Sequence, residues 1–256
     1  IACTPSYSLH LAEELKANEA RAYSLGVKNH TTISKTEDYY QQCIKYLIFG
    51  NILKNNTYPL SVSAERIFQA IAAAEYAKKI GAQAIAHGST GAGNDQVRFD
   101  MAFRIIMPEA EVITPIRDLR LSREAEIEYL KNKGVEQEWH KAAYSINKGL
   151  WGTSVGGKET LTSDQYLPES AFPTQVSKTE AERITLEFEK GELKGINGNP
   201  FSPVEAIQKL AEIAAPFGIG RDIHVGGSCW GIMGGVGFGA AGPVGLGMGL
   251  ESRALV

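Results

Sequence analysis

Residues 87–99, with the sequence HGSTGAGNDQVRF, constrain the fold of this chain more than any other segment. The short apolar run Ala84–Ala86 before them is typical of a buried strand, and a helical pattern follows from Val97 to Ile106. Three glycines allow the backbone to approach a ligand closely, and Asn94 and Asp95 stand where polar side chains cap helix N–H groups. The segment therefore predicts a strand, a glycine loop and a helix N-terminus that can receive a phosphate or a carboxylate.

The same glycine loop also has a simpler interpretation, because many strand-to-helix connections contain glycine and end in Asn or Asp. It lacks the Gly-Lys-Ser/Thr ending of a Walker A loop, so it does not predict that kind of phosphate site. Arg98 favours a ligand site, because it lies four residues after Asn94 and therefore shares a helix face with it. A cationic face beside a glycine loop is unsuited to a protein core.

The first part of the chain alternates short apolar runs with helical patterns. The expected helices are 13–25, 36–50, 63–80, with Ser63 as its cap, and 122–133; the expected strands include 30–33 and 112–114. This alternation predicts an α/β domain over residues 1–137, with a mainly parallel sheet and helices on both faces. Ligands of such sheets bind beyond the C-terminal strand ends, where the glycine loop lies.

The composition changes from about residue 138, where Gly, Ser and Thr become dense. Residues 184–189 alternate as a half-buried strand does, and Ser202 and Glu205 form a capping box around Pro203 at a helix start. We therefore expect a second, α+β domain over residues 138–256. Residues 225–250 carry no charge and repeat glycine at every fourth position from 227 to 239, but Pro243 and the many glycines favour strands over a membrane helix.

The overall composition excludes several classes of protein. A net charge of −3 offers no broad basic surface, so nucleic acid is not an expected partner. Three widely spaced cysteines favour free thiols in a reducing compartment, and with no targeting segment we expect a cytoplasmic protein without a membrane anchor. The histidines and cysteines have no metal-ligand spacing, so no protein metal site is predicted.

Residues 87–99 closely resemble the glycine loop of the argininosuccinate synthases. Residues 58–63 (YPLSVS), 145–152 (SINKGLWG) and 217–221 (FGIGR) resemble further segments of that family in the same order. The resemblance, from about Glu13 to Arg221, implies an adenine nucleotide alpha hydrolase-like domain followed by a synthetase and multimerisation domain in a homotetramer. It also implies a ligase of arginine biosynthesis and the urea cycle, which condenses citrulline and aspartate to argininosuccinate and converts ATP to AMP and pyrophosphate.

The resemblance implies roles for ten residues of this chain. Gly88 and Ala2 would contact ATP, whose phosphates bring Mg²⁺. Aspartate would be held by Thr90, Asn94 and Asp95, with Asp95 as the partner of its ammonium group. Citrulline would be held by Tyr58, Ser63, Asn94, Arg98, Ser145 and Ser154. Among these, Arg98 would clamp the citrulline carboxylate, because a guanidinium offers a two-pronged fit. No catalytic residue is assigned.

Each of these polar residues has an ordinary structural interpretation when it is considered alone. Ser63 is a suitable helix cap, Tyr58 a turn aromatic, and Ser145 and Ser154 are loop hydroxyls. Their joint occurrence at matching spacings favours the ligand interpretation.

The chain also departs from the family pattern at both ends. The family's phosphate loop, Ser-Gly-Gly-Leu-Asp-Thr-Ser, has no counterpart here, and the sequence reads as starting inside the second strand and stopping before the family's C-terminal segment. We expect little or no turnover from the chain as given, because nothing in it would orient the leaving pyrophosphate. Two alternatives stay open: another ATP pyrophosphatase-type adenylating synthetase, and a non-catalytic amino-acid-binding protein.

Overall fold

A computed structural model describes residues 2–6, 12–54, 58–60, 62–91, 93–135, 144–162, 164–227, 233–239 and 242–243. Elements of the first half are β1 Ala2–Ser6, α1 Ala12–Ser24, β2 His30–Ser34, α2 Thr36–Tyr39, a π-helical turn Tyr40–Ile44, α3 Lys45–Phe49, α4 Ser63–Lys79, β3 Ala84–Ala86, α5 Asp95–Ile106, β4 Glu111–Ile113, α6 Pro115–Asp118 and α7 Arg123–Asn132. The second half contains β5 Tyr144–Gly149, β6 Gly152–Gly157, β7 Leu186–Glu189, β8 Glu192–Ile196, β9 Asn199–Pro200, α8 Pro203–Ala214, β10 Arg221–Gly227 and β11 Met233–Gly239.

Two pairs of parallel strands organise the first half. β1 pairs with β2, with Ala2 opposite His30, and β3 pairs with β4, with Ala84 opposite Glu111. Helices α4 and α5 pack beside the second pair through a cluster of Ala70, Ala74, Ala102, Phe103, Ile85 and Val112. Parallel pairs that alternate with helices confirm the α/β class predicted for this part of the chain.

Antiparallel sheets form the second half. One has the strand order β10-β11-β6-β5, and the other has the order β7-β8-β9. The predicted capping box is confirmed, because the Ser202 hydroxyl accepts from the Glu205 N–H at 3.3 Å while the Glu205 carboxylate accepts from the Ser202 N–H at 3.0 Å.

The uncharged tail contains strands, as predicted, in the part that the structure describes. β10 and β11 pair in antiparallel fashion over seven residues each. Residues 228–232, 240–241 and 244–250 of this tail lie outside the described residues. Within the described chain, every helix is too short or too polar to cross a membrane.

The main hydrophobic core draws on both halves of the chain. Its buried residues are Tyr39, Tyr40, Ile44, Ile48, Ala72, Leu150, Trp151, Leu193, Ile196, Ala206, Ile207 and Leu210. Leu150 and Trp151 are the two turn residues between β5 and β6, and only 5% and 4% of their surfaces are exposed. Burial of each large side chain contributes about 1.5–3 kcal/mol, so this turn stabilises the packing of the hairpin against the first half. The predicted domain boundary at residue 137 lies outside the described residues and stays a prediction.

Three local expectations are corrected by the structure. The helix expected over 36–50 contains the π-helical turn Tyr40–Ile44. Ser63 is the first helical residue of α4 rather than its cap, because the Val62 carbonyl already accepts from the Arg66 N–H at 3.1 Å. Asn94 occupies the N-cap position of α5, but its helical backbone (φ −82°, ψ −14°) differs from the extended cap conformation, and its side chain makes no capping hydrogen bond.

Candidate functional site

The glycine loop between β3 and α5 is fixed by two side chains that lie beneath it. Gln96, with 4% of its surface exposed, donates from Nε2 to the Gly91 carbonyl at 2.6 Å. The Ser89 N–H donates to Nδ1 of His87 at 3.3 Å, which leaves the ring proton on Nε2. That nitrogen lies 3.1 Å from the Asp100 carboxylate and donates to it.

Asp100 joins this loop to the helix that follows β4. Nη1 of Arg117 donates to Asp100 Oδ2 at 2.7 Å and to Gln96 Oε1 at 3.3 Å. Partial burial opposes ionisation, but the hydrogen bonds from Arg117 and His87 outweigh it and lower the pKa of Asp100 below its ordinary value. The contacts therefore tie together the C-terminal ends of two parallel strands, the edge where the sequence predicts a ligand.

Three of the residues predicted to bind amino acids meet at the start of α5. Nη1 of Arg98 donates to Asp95 Oδ1 at 2.7 Å, and Nη2 donates to the Ser63 hydroxyl at 3.4 Å. Asn94 directly precedes Asp95, and the Thr90 hydroxyl lies beside Gly93, 3.9 Å from the position that a Cβ would take there. The structure thus brings the predicted residues of α4, the loop and α5 into one neighbourhood.

Arg66 belongs to this neighbourhood although the sequence analysis missed it. Its Nε lies 3.5 Å from Asp95 Oδ2, Nη1 donates to Gln69 Oε1 at 2.8 Å, and Nη2 donates to Asn147 Oδ1 on β5. The sequence signal that could have found Arg66 is its spacing from Ser63. Residues three positions apart on a helix share a face, and Arg66 follows Ser63 by three.

Ser145 and Ser154 lie on the sheet face that Arg66 reaches. Ser154 is opposite Asn147 in the β5–β6 ladder, and Ser145 precedes Asn147 by two positions, so all three point to the same face. Ser154 is buried, whereas Ser145 is exposed. The structure therefore places both predicted serines on the side of the hairpin that Arg66 contacts.

Tyr58 packs over the same face farther along the sheet. Its ring stacks on that of His224 in β10, with centroids 5.0 Å apart and 19° between planes. The register aligns Ser154 with Phe238 and Phe238 with Asp222, so His224, two positions on, shares the face of Ser154. Burial, with a smaller contribution from Lys54, lowers the pKa of His224 below its ordinary value and so favours the neutral ring.

A buried carboxyl group lies behind these residues. Glu65 of α4 has only 5% of its surface exposed, and its Oε2 has no hydrogen-bond partner among the described residues. Burial raises the pKa of Glu65 to about 7, although Arg66 and the Leu150 N–H act in the opposite direction. The carboxyl group packs against the backbone of Gly149, where an added Cβ would overlap with Oε2.

The two residues expected to contact ATP lie on separate strand pairs. Ala2 begins β1, and Gly88 lies in the loop after β3. A cleft of about 410 Å³ lies between α8, the β5–β6 turn and residues 172–174, and none of the predicted site residues lines it. The roles of Ala2 and Gly88 therefore stay predictions.

The sequence of residues 7–136, about half of the chain, matches the family model described as Arginosuccinate synthase N-terminal HUP domain. The chain belongs to the argininosuccinate synthase family. This match confirms the nucleotide-binding class of fold expected for the first half.

Proteins named argininosuccinate synthase are similar to this chain over most of its length. The protein of Sulfolobus acidocaldarius is 41% identical over 208 residues, which are 81% of this chain and 53% of that protein. That of Methanocaldococcus jannaschii is 41% identical over 212 residues, 82% of this chain and 53% of its own length. That of Pyrococcus furiosus is 36% identical over 217 residues, 83% and 52% of the respective lengths. The chain spans about half the length of these argininosuccinate synthases.

Proposed function

We propose that this chain carries the amino-acid sites, and part of the ATP site, of an argininosuccinate synthase of arginine biosynthesis. The observation that carries the proposal is the contact of Arg98 with both Asp95 and Ser63 at the start of α5, directly after the glycine loop. Family membership of the chain supports this function.

The charges of this neighbourhood suit the proposed substrates. Arg66 and Arg98 each pair with Asp95, and the three side chains together carry one net positive charge, whereas free aspartate carries one net negative charge. Asp95 would receive the ammonium group of aspartate. Among the described residues, Arg98 uses two N–H groups in its contacts with Asp95 and Ser63, and a guanidinium has five, so others would serve the citrulline carboxylate.

The proposed reaction depends on the relative positions of the three substrates more than on a reactive side chain. The ureido oxygen of citrulline attacks the α-phosphorus of ATP, and pyrophosphate leaves. The amine of aspartate then attacks the ureido carbon and loses a proton, while the carbon–oxygen bond to AMP breaks. Alignment of three substrates and compensation of their negative charge supply the rate enhancement.

Magnesium would accompany the ATP phosphates in this proposal. Oxygen atoms of the ATP phosphates would bind this ion, because Mg²⁺ prefers oxygen ligands and usually binds together with substrate phosphates. A cytoplasmic location, a homotetramer, a second synthetase domain over residues 138–256 and the ATP contacts of Ala2 and Gly88 are part of the same proposal.

Binding measurements with wild type and Arg98→Ala test the proposal. Calorimetry should show that wild type binds citrulline and aspartate, and that the variant binds citrulline about 10- to 100-fold more weakly with little change for ATP, because a charge-assisted pair contributes about 1.5–3 kcal/mol. Equal losses for citrulline and ATP would contradict the assignment of Arg98.

An AMP-release assay separates the remaining alternatives. Release that requires citrulline supports the proposal, whereas release with a different ureido or amide compound would indicate another adenylating synthetase. Any AMP release will be slight, since little or no turnover is expected from the chain as given, so amino-acid binding that ATP does not influence is the result that would indicate a non-catalytic binding protein.

A further inference from the structure

Arg66 connects three elements that contribute to the proposed site. It extends from α4, pairs with Asp95 of α5 and donates to Asn147 of β5, and 22% of its side chain is exposed. These partners are 29 and 81 positions away in sequence. The side chain is therefore a tertiary contact between the start of α5 and the strand face that carries the two serines.

The contact of Arg66 with Asp95 can orient the carboxylate and still leave one of its oxygens able to accept a further hydrogen bond. Oδ1 of Asp95 accepts a 2.7 Å hydrogen bond from Arg98, whereas Oδ2 lies 3.5 Å from Nε of Arg66. That Nε has no hydrogen-bond partner among the described residues, so its attraction to Asp95 is electrostatic rather than a hydrogen bond. Oδ2 is thus held in place and can still accept a hydrogen bond from an ammonium group.

We propose that Arg66 is a positioning residue of the aspartate site. By pairing with Asp95 and Asn147 at the same time, it fixes the carboxylate that receives the aspartate ammonium relative to the face of Ser145 and Ser154. This inference rests on the proposed function. It concerns a residue to which the family resemblance gave no role.

The planar guanidinium is what makes the double contact feasible. Its fork directs Nη1 to Gln69, Nη2 to Asn147 and Nε towards Asp95. A lysine in this place has one compact charged group and can retain the attraction to Asp95, but it cannot hold Asn147 as well. We call the simultaneous contact of Arg66 with Asp95 and Asn147 the bridge. Lysine and methionine replacements of Arg66 therefore separate the effect of its charge from the effect of the bridge.

Calorimetric titration of aspartate and citrulline into wild type, Arg66→Met and Arg66→Lys tests the inference. We expect Arg66→Met to raise the Kd of aspartate about tenfold and that of citrulline about threefold, because Asp95 loses one of the two cations that orient it. Arg66→Lys should recover most of the aspartate affinity and less of the citrulline affinity. A merely structural role would change both affinities equally and would give no such recovery by lysine.

The matched control is Arg104→Met, which removes an exposed arginine from α5 about 14 Å along the helix from Asp95. Urea unfolding of every variant shows whether it is folded, and the double variant Arg66→Met with Asn147→Ala measures the coupling. If the bridge acts as one unit, the double variant should bind aspartate no more weakly than Arg66→Met.

The outcomes distinguish this inference from the proposed function. If wild type binds both amino acids and folded Arg66→Met binds aspartate as wild type and Arg104→Met do, the inference is wrong and the proposed function stands. If wild type binds neither amino acid, the proposed function is wrong, and the inference falls with it.

Discussion

Replacement of Glu65 by glutamine should stabilise the protein at pH 8. Burial raises the pKa of Glu65 from 4.5 to about 7 in the folded protein, and 5% of the residue is exposed, so solvent screens it little. Between these two pH values the folded protein keeps a proton that the unfolded chain releases. The free energy of unfolding therefore decreases as the pH rises through this window and stays low above it.

The size of this effect follows from the shift in pKa. A difference of one in pKa corresponds to about 1.4 kcal/mol, so the rise of the Glu65 pKa from 4.5 to about 7 lowers the free energy of unfolding by about 3 kcal/mol above pH 7. Glutamine resembles the protonated acid in shape and cannot ionise. Glu65→Gln should accordingly match wild type at pH 4.5 and exceed its stability by about 3 kcal/mol at pH 8.

Urea unfolding of both proteins from pH 4.5 to pH 8 measures this difference. Glu75→Gln is the matched control, because Glu75 lies on the same helix with 55% of its side chain exposed and its replacement leaves the buried Glu65 carboxyl group in place. Stability curves for wild type and Glu65→Gln that run parallel across the whole range would refute the reasoning, since they would mean that Glu65 binds no extra proton in the folded state.

Three further substitutions test contacts elsewhere in the fold. Gly149→Ala should lower the free energy of unfolding in urea by about 1–3 kcal/mol, because its Cβ overlaps with the Glu65 carboxyl group; an unchanged value would contradict this packing. Asp100→Asn should lower the free energy of unfolding by about 1–2 kcal/mol at pH 7, because it weakens the hydrogen bonds from Arg117 and His87. Because the pKa of Asp100 is lowered in the folded protein, the stability difference between wild type and Asp100→Asn should narrow as the pH falls below about 4. A difference that stays constant with pH would contradict this prediction. Ser202→Ala should lower the free energy of unfolding in urea by about 1 kcal/mol, because it removes the N-cap of α8. An unchanged free energy would mean that this cap contributes no stability.

Local patterns predicted the elements whose residues are close together in sequence. The strand Ala84–Ala86, the glycine loop and the start of α5 follow from apolar runs, glycines and helix-opening residues within one short segment. The capping box at Ser202 was likewise visible within four residues. Backbone preferences and capping act over such distances, so they can be read from sequence.

Contacts between distant segments were not predictable in the same way. Arg66 and Asn147 are 81 positions apart, and Tyr40 donates to Glu192 across 152 positions. No periodicity encodes such pairs. The π-helical turn at Tyr40–Ile44 was missed for a related reason, because its apolar spacing differs too little from that of an α-helix. The neighbourhood of Ser63 and Arg98 was expected only because of the family resemblance.

Residues of the main hydrophobic core are synthesised at widely separated times. Tyr39, Ile44 and Ile48 leave the ribosome long before Ile207 and Leu210, which belong to the same hydrophobic core in the folded protein. At a synthesis rate of about 5–20 residues per second, these three apolar residues are exposed for roughly 10–30 s before Ile207 and Leu210 have been added to the chain. During that interval the nascent chain exposes an apolar surface, and early collapse of these residues onto α4, whose Ala72 and Phe68 belong to the same core, would protect it from aggregation.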